Sequence, residues 1–211
     1  IKFDGKTGNL EVRGYIQTIR FDPVKHEYWY GDQLIPGVTS VIGQQLREPF
    51  YVNKEVLALA GELGTLVHEA TALDAQGILD EATVDREVMP YLQAWRRFLR
   101  DSGAVVTASE RVCFHAAYGY AGTLDHTLRW QGRDWVIDKK TGQPSPTDAI
   151  QTAAYFHASD ADLKATELCG NRGALYLRDD GTYRFEEHKS KTDFQTFINA
   201  LSVFKWRAKH K

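Results

Sequence analysis

At 211 residues, with 43% hydrophobic and 26% charged residues, the chain has the size and balance of one globular domain rather than of a disordered or multidomain protein. Its formal net charge of −2 excludes the overall basicity typical of nucleic-acid binders, although a local basic groove beside an acidic site is compatible with that total. Two cysteines far apart in sequence, Cys113 and Cys169, leave no zinc site or four-cysteine iron-sulfur cluster, and no apolar run approaches the roughly 18 residues that cross a bilayer.

The first ten residues, IKFDGKTGNL, are polar and carry no signal-peptide core, so an intracellular, cytoplasmic setting is expected. The chain begins with isoleucine, as a piece of a longer protein would. Residues 11 to 35 read as strands: Tyr15 to Phe21, then His26 to Tyr30, a Gly31-Asp32 turn and Gln33 to Ile35. The aromatics Tyr28, Trp29 and Tyr30 suit either a stacking platform for single-stranded DNA or, more ordinarily, a hairpin with one face in the core. Pro36-Gly37 breaks the chain, and Thr39 or Ser40 can start a helix.

Asn53 to Leu73 is helical in pattern, with expected interruptions near Gly61 and Gly64. Val84 to Asp101 is a second helix: Tyr91, Leu92, Trp95, Phe98 and Leu99 form its apolar stripe, and Arg96, Arg97 and Arg100 a charged, solvated face. Ser102-Gly103 ends it. Strand character resumes over Val105 to Tyr118, which contains Glu110. Ala121 to Trp130 and Asp134 to Lys140 then form a hairpin about Gln131-Gly132-Arg133. Gly142 to Thr147 is a loop, and Asp148 starts a helix carrying Gln151 and Tyr155 at i and i+4, on one face. Gly173 to Leu177 and Thr182 to Glu187 make another hairpin, and Phe194, Phe197, Ile198, Leu201 and Phe204 mark a closing amphipathic helix with a basic tail.

The chemistry gathers on the hairpin that follows Tyr120. Asp125 and Asp138 lie on paired strands at similar distances from the turn, and Lys140 lies two residues beyond Asp138. Side chains alternate along a strand, so Asp138 and Lys140 share a face with Val136 while Ile137 and Lys139 take the other. Two carboxylates are the ligands that Mg²⁺ prefers, and a neighbouring ammonium can orient or deprotonate a water, or stabilise charge on phosphorus-bound oxygens. A metal site at a sheet edge is the expected setting. Gln151 and Tyr155 can brace Lys140, a water or a phosphate by hydrogen bonds.

GTLD (Gly122 to Asp125), IDKKTG (Ile137 to Gly142) and QTAAY (Gln151 to Tyr155) resemble, in order and spacing, the GxxD, D-x-K and QxxxY motifs of the PD-(D/E)XK nuclease superfamily. The similarity is greatest to its RecB-like branch, which includes the mitochondrial genome maintenance exonuclease and many phage nucleases. HEYWYGDQLIPGVTSVI (His26 to Ile42) resembles a leader in phage members, and GTLVHEA (Gly64 to Ala70) resembles a helix whose histidine completes the metal site. The resemblance implies a restriction-endonuclease-like α/β core, a mixed central sheet flanked by helices, with an N-terminal β-hairpin. It divides the single domain into an N-terminal hairpin and lead-in (1–50), a core with the motifs (51–160) and a C-terminal hairpin and helix (161–211).

For the site, the resemblance implies Mg²⁺ or Mn²⁺ held by Asp125, Asp138, the carbonyl of Lys139 and His68, with Lys140 positioning the attacking water. Gln151 and Tyr155 support it, and Glu110, at the start of the strand before GTLD, assists the metal or a lysine. His68 as an ordinary helix histidine and Glu110 as an exposed strand residue are the alternatives. The acidic residue that some relatives carry one turn after the histidine is missing, since Thr71 and Ala72 stand there. The implied activity is hydrolysis of DNA, by an exonuclease on single-stranded or end-bearing substrate in replication, recombination or repair, in a phage-infected cell if viral. Replication or recombination proteins are possible partners, and no membrane is involved. Two rivals remain: a non-cleaving DNA-binding module of the same fold, and a hydrolase of small phosphoesters.

Overall fold

The computed structural model describes residues 2–4, 9–12, 15–46, 54–159 and 171–210, so Cys169 and Lys211 lie outside the described residues. Five short strands come first: β1 (Lys2–Asp4), β2 (Asn9–Val12), β3 (Tyr15–Asp22), β4 (Glu27–Tyr30) and β5 (Gln33–Ile35). They form an antiparallel sheet in sequence order, so the expected N-terminal hairpin is part of a larger sheet. Strands β1 and β2, three and four residues long, are too short for alternation to reveal. Helix α1 (Val38–Gln45) follows, with Gly37 at its N-cap and no side-chain cap bond, rather than a start at Thr39 or Ser40.

Helix α2 (Lys54–Ala75) is continuous, which corrects the expected breaks at Gly61 and Gly64. A glycine costs a helix interior only about 1 kcal/mol against alanine, too little to break so long an element. By length and mean hydropathy α2 would also pass for a membrane-crossing helix, contrary to the sequence expectation. Its second half instead packs Val67, Ala70, Thr71 and Ala72 into the protein, while Val56, Leu57 and Leu59 near its start are exposed. A 3₁₀ turn (Glu81–Thr83) precedes α3 (Met89–Ser102), so this helix starts later than Val84. It ends, as expected, on Gly103 in the left-handed region at φ 66°.

The central sheet holds β6 (Val105–His115), β7 (Tyr120–Trp130), β8 (Arg133–Lys140), β9 (Asn171–Leu177) and β10 (Tyr183–Glu187), in the order β10-β9-β8-β7-β6. Gln131 and Gly132, at φ 51° and 73°, make the tight turn that sets the β7–β8 register. Strands β8 and β9 are parallel, joined through α4 (Pro146–Ser159), and the other pairs are antiparallel. The fold is thus mixed α/β with a five-stranded central sheet. Helix α4 starts at Pro146 rather than Asp148, because Ser145 caps it. The Ser145 N–H donates to Asp148 Oδ2 at 2.9 Å and Ser145 Oγ accepts from the Thr147 N–H at 3.3 Å, a reciprocal capping box.

Helices α1, α4 and α5 (Thr192–Lys209) bury Val41, Ala154 and Phe197 against one face of the sheet, where Leu124 and Val136 point. Helices α2 and α3 bury Val67, Trp95 and Phe98 against the other, with Leu128, Trp135 and Ile137. The N-terminal sheet joins the core where Gly37 bridges Ala121 and Tyr28 OH meets Thr123 Oγ1 at 2.9 Å. Tyr28 is therefore a core residue, which rules it out as an exposed base-stacking platform.

Candidate functional site

Strand β8 is central, not at the edge that the sequence led us to expect, and the site forms where β7 and β8 part. Their pairing runs out at His126↔Ile137, one step before Asp125 and Asp138 would face each other. Beyond that step Leu124 belongs to the cluster under α4 and α5, whereas His126 and Leu128 lie on the α2–α3 side. Residues of equal parity on opposite sides mean that β7 changes face at Asp125. Opposite, in β6, Glu110 has φ 48°, a left-handed conformation that costs a non-glycine residue roughly 1–2 kcal/mol. The strained residue is inside the strand, not at its start.

This local reversal turns the Asp125 carboxylate into the gap between strands. Its Oδ2 accepts the Lys139 backbone N–H at 2.6 Å, and its Oδ1 lies 3.2 Å from His68 Nδ1. His68 arrives on the packed half of α2. Donor atoms of His68, Glu110 and Asp125 all fall within 4.8 Å of one another.

On the α4 side, Asp138 Oδ1 accepts from Gln151 Nε2 at 2.9 Å, and Lys140 Nζ donates to Gln151 Oε1 at 3.1 Å. Gln151 Nε2 also reaches Tyr155 OH at 3.2 Å, so the amide ties all three groups together. Lys140 Nζ is 2.7 Å from Asp138 Oδ2, yet that buried oxygen has no aligned hydrogen bond. Gly122 of GTLD has a steric reason: a Cβ there would stand 2.5 Å from the Tyr155 ring. The glycine lets the tyrosine, and through it Gln151, close on the strand end.

On the α2–α3 side, Lys139 is fully buried. Its ammonium donates to Thr71 Oγ1 at 2.6 Å and to the His68 carbonyl at 3.4 Å, lies 3.9 Å from Glu110 Oε1, and sits over the Trp95 ring at 5.9 Å. Thr71 and Trp95 were missed as neighbours of the site. For Thr71 a signal existed, since it lies three residues after His68 and so on the same helical face.

The charges are pushed apart. Burial raises the Asp138 carboxyl to about 6, with Asp125 adding to the rise and Lys140 opposing it. Burial would raise Asp125 as well, but His68, Lys139 and Lys140 hold it well below the usual carboxylate range. Glu110, on the strand's exposed side with 40% of its side chain accessible, is raised to about 7, first by partial loss of solvation and then by Asp125. For His68 burial acts downward, and Asp125 overrides it to raise the imidazole. Burial lowers Lys139; in Lys140 the same penalty is outweighed by Asp138 at contact distance, and its ammonium is held above the ordinary value.

A divalent cation suits this donor set. The carboxylates offer hard oxygens, the imidazole adds the ligand that Mn²⁺ also accepts, and His68, Glu110 and Asp125 bring one donor atom each to within 4.8 Å of the others. Every residue singled out in the sequence as catalytic or metal-binding (His68, Glu110, Asp125, Asp138, Lys139, Lys140, Gln151 and Tyr155) lies in this one network. The arginine face of α3 does not take part: Arg96 is bound by Asp74 and Glu81, and Arg97 pairs with Asp101. His126, which matched no motif, is buried against Trp95 and bonds Ser109.

No protein-family model matches this chain, and no curated protein sequence does either. Among solved structures, an alkaline exonuclease (LHK-Exo) from Laribacter hongkongensis superposes with a TM-score of 0.47 at 13% identity, covering 82% of this chain and 87% of that one. LHK-Exo in complex with dAMP gives 0.42 at 14% identity, with 83% and 88% covered. SSO0001 gives 0.36 at 12% identity, with 78% and 81% covered.

Proposed function

We propose that this chain is a divalent-metal-dependent nuclease that hydrolyses phosphodiester bonds of DNA. The observation that carries the reading is the convergence of Asp125, Asp138 and Lys140, with His68 and Glu110, at the point where β7 and β8 separate. His68, Glu110, Asp125 and Asp138 would hold the cation. The Lys139 carbonyl joins them: a strand residue's N–H and C=O point to the same side, and the Lys139 N–H already faces Asp125. The chemistry that a cation supplies when held there is charge stabilisation on phosphodiester oxygens and a more acidic water.

The protein's own groups do the positioning. Lys140 stays an ammonium beside Asp138, so it orients the attacking water as a hydrogen-bond donor and stabilises developing negative charge, rather than removing a proton. Gln151 holds Lys140 and Asp138 at fixed separation, and Tyr155 holds Gln151. Single-stranded or end-bearing DNA as the substrate, and exonuclease action, are supported by the motif resemblance.

The test uses labelled single- and double-stranded DNA with Mg²⁺, Mn²⁺ or EDTA. Cutting that needs the metal and is lost in Lys140→Ala supports the assignment. Cutting that persists in that variant refutes it, binding without cutting supports a non-cleaving module, and turnover of a nitrophenyl phosphate indifferent to competing DNA supports a small-phosphoester hydrolase.

A further inference from the structure

Three carboxylates meet at the site, and two of them already have a lysine of their own. Asp138 has Lys140 at 2.7 Å on the α4 side, and Glu110 has Lys139 at 3.9 Å on the α2–α3 side. Asp125, between them, faces a histidine and a backbone N–H. Three negative and two positive side chains leave a formal charge of about −1, which one divalent ion overcompensates and two would exceed by about three units.

The lysine on the inner side is not free to leave. Its side chain has no exposure, Thr71 Oγ1 and the His68 carbonyl accept its N–H bonds, and the Trp95 ring lies beneath it. A second cation would have to share Glu110 and Asp125 with the first and stand against both that ion and a fixed ammonium, like charges that repel one another.

We infer that Lys139 takes the place of a second metal ion, so that the site binds one divalent cation per chain. This deepens the nuclease reading and rests on it, since it concerns the same ligands. It makes Lys139 a positioning residue: its side chain sets the number of cations without touching the reacting atoms.

The experiment is a titration of the whole chain with Mn²⁺ at fixed pH, in which electron paramagnetic resonance of the free ion and calorimetry give stoichiometry and affinity without any turnover. The expected result is one Mn²⁺ per wild-type chain, and two per chain in Lys139→Met, the second binding more weakly. Methionine keeps the packing over Trp95, and Thr71 keeps its own bond to the Val67 carbonyl at 2.7 Å. Should that variant fail to fold, Lys139→Gln gives the same readout. Two ions on the wild type overturn the inference, as does a single ion on a folded Lys139 variant. No Mn²⁺ on the wild type at any concentration instead sinks the metal-dependent reading of the site, so the two failures are told apart.

Discussion

Lys139 and Lys140 are consecutive, and the two faces of β8 hold them in different states. Lys140 keeps about a fifth of its side chain exposed and is paired to a carboxylate at contact distance; Lys139 has no exposure, and its shortest contact is to a hydroxyl. One ammonium is reinforced and partly exposed, and the other is weakened and enclosed. Residue type and sequence position therefore do not decide what a charged group does beside this site. The covering helix does, by supplying Gln151 and Tyr155 from α4 on one face, and Thr71, His68 and Trp95 from α2 and α3 on the other.

The sharpest way to break this contrast is to remove the exposed member. Lys140→Ala is expected to lower metal-dependent DNA cleavage about a thousandfold in a protein that still folds, with a lowered melting temperature because the buried Asp138 carboxylate loses its ammonium. Circular dichroism and a gel assay check both halves. A loss of folding instead would make the two lysines equivalent.

Across the strand the effect is expected in stability. Thr71→Val removes the acceptor of the Lys139 ammonium and should cost about 1.5–3 kcal/mol in urea unfolding, the range for a hydrogen bond to a charged group. An unchanged midpoint would mean that Lys139 is not anchored there.

Gly122→Ala tests how the outer lysine is held. The added methyl meets the Tyr155 ring and should destabilise by about 1–3 kcal/mol, as overpacking does. Because Tyr155 supports Gln151, cleavage should fall further than the folded fraction does. An activity loss that only tracks unfolding would show that the bracing has no role in the chemistry.

The smallest effect expected is a pH dependence of the metal-free protein. Asp138 and Glu110 titrate above the ordinary carboxylate range when folded, near 6 and 7, so the folded chain holds more protons there than the unfolded one. Stability from both is present at low pH and is lost as pH rises through about 4 to 7, and His68, also raised, adds loss in the same direction. Burial lowers His26, His115, His126, His157 and His188, which add stability as pH rises towards their ordinary value of 6.5, so the melting temperature without metal should fall only above that, between about pH 6.5 and pH 8, and Mg²⁺ should restore it most at pH 8, where the ligands are deprotonated. A metal-free melting temperature that rises over this range would contradict the raised values.

Much of the fold was legible. The β7–β8 hairpin, the apolar stripe of α3 and the pair of residues on α4 followed from alternation, periodicity and turn chemistry, because these are local. The misses have equally physical causes. Strands β1 and β2 are only three and four residues long, too short for alternation to mark them. Two glycines did not interrupt α2, since its buried half outweighs their small cost. The central place of β8 depends on its parallel pairing with β9, which lies 36 positions later in register (Trp135↔Asn171).

By itself the sequence determined which residues gather: the spacing of Asp125, Asp138, Lys140, Gln151 and Tyr155 already puts two carboxylates, an ammonium and their hydrogen-bonding supports within reach. Only the tertiary structure decided that Glu110 takes a left-handed backbone, that β7 changes face at Asp125, and that Lys139 is walled in beneath the ligands. Those outcomes depend on where two strands part and on which helices cover each face. Contacts between segments tens of residues apart settle both, and local alternation has no hold on them.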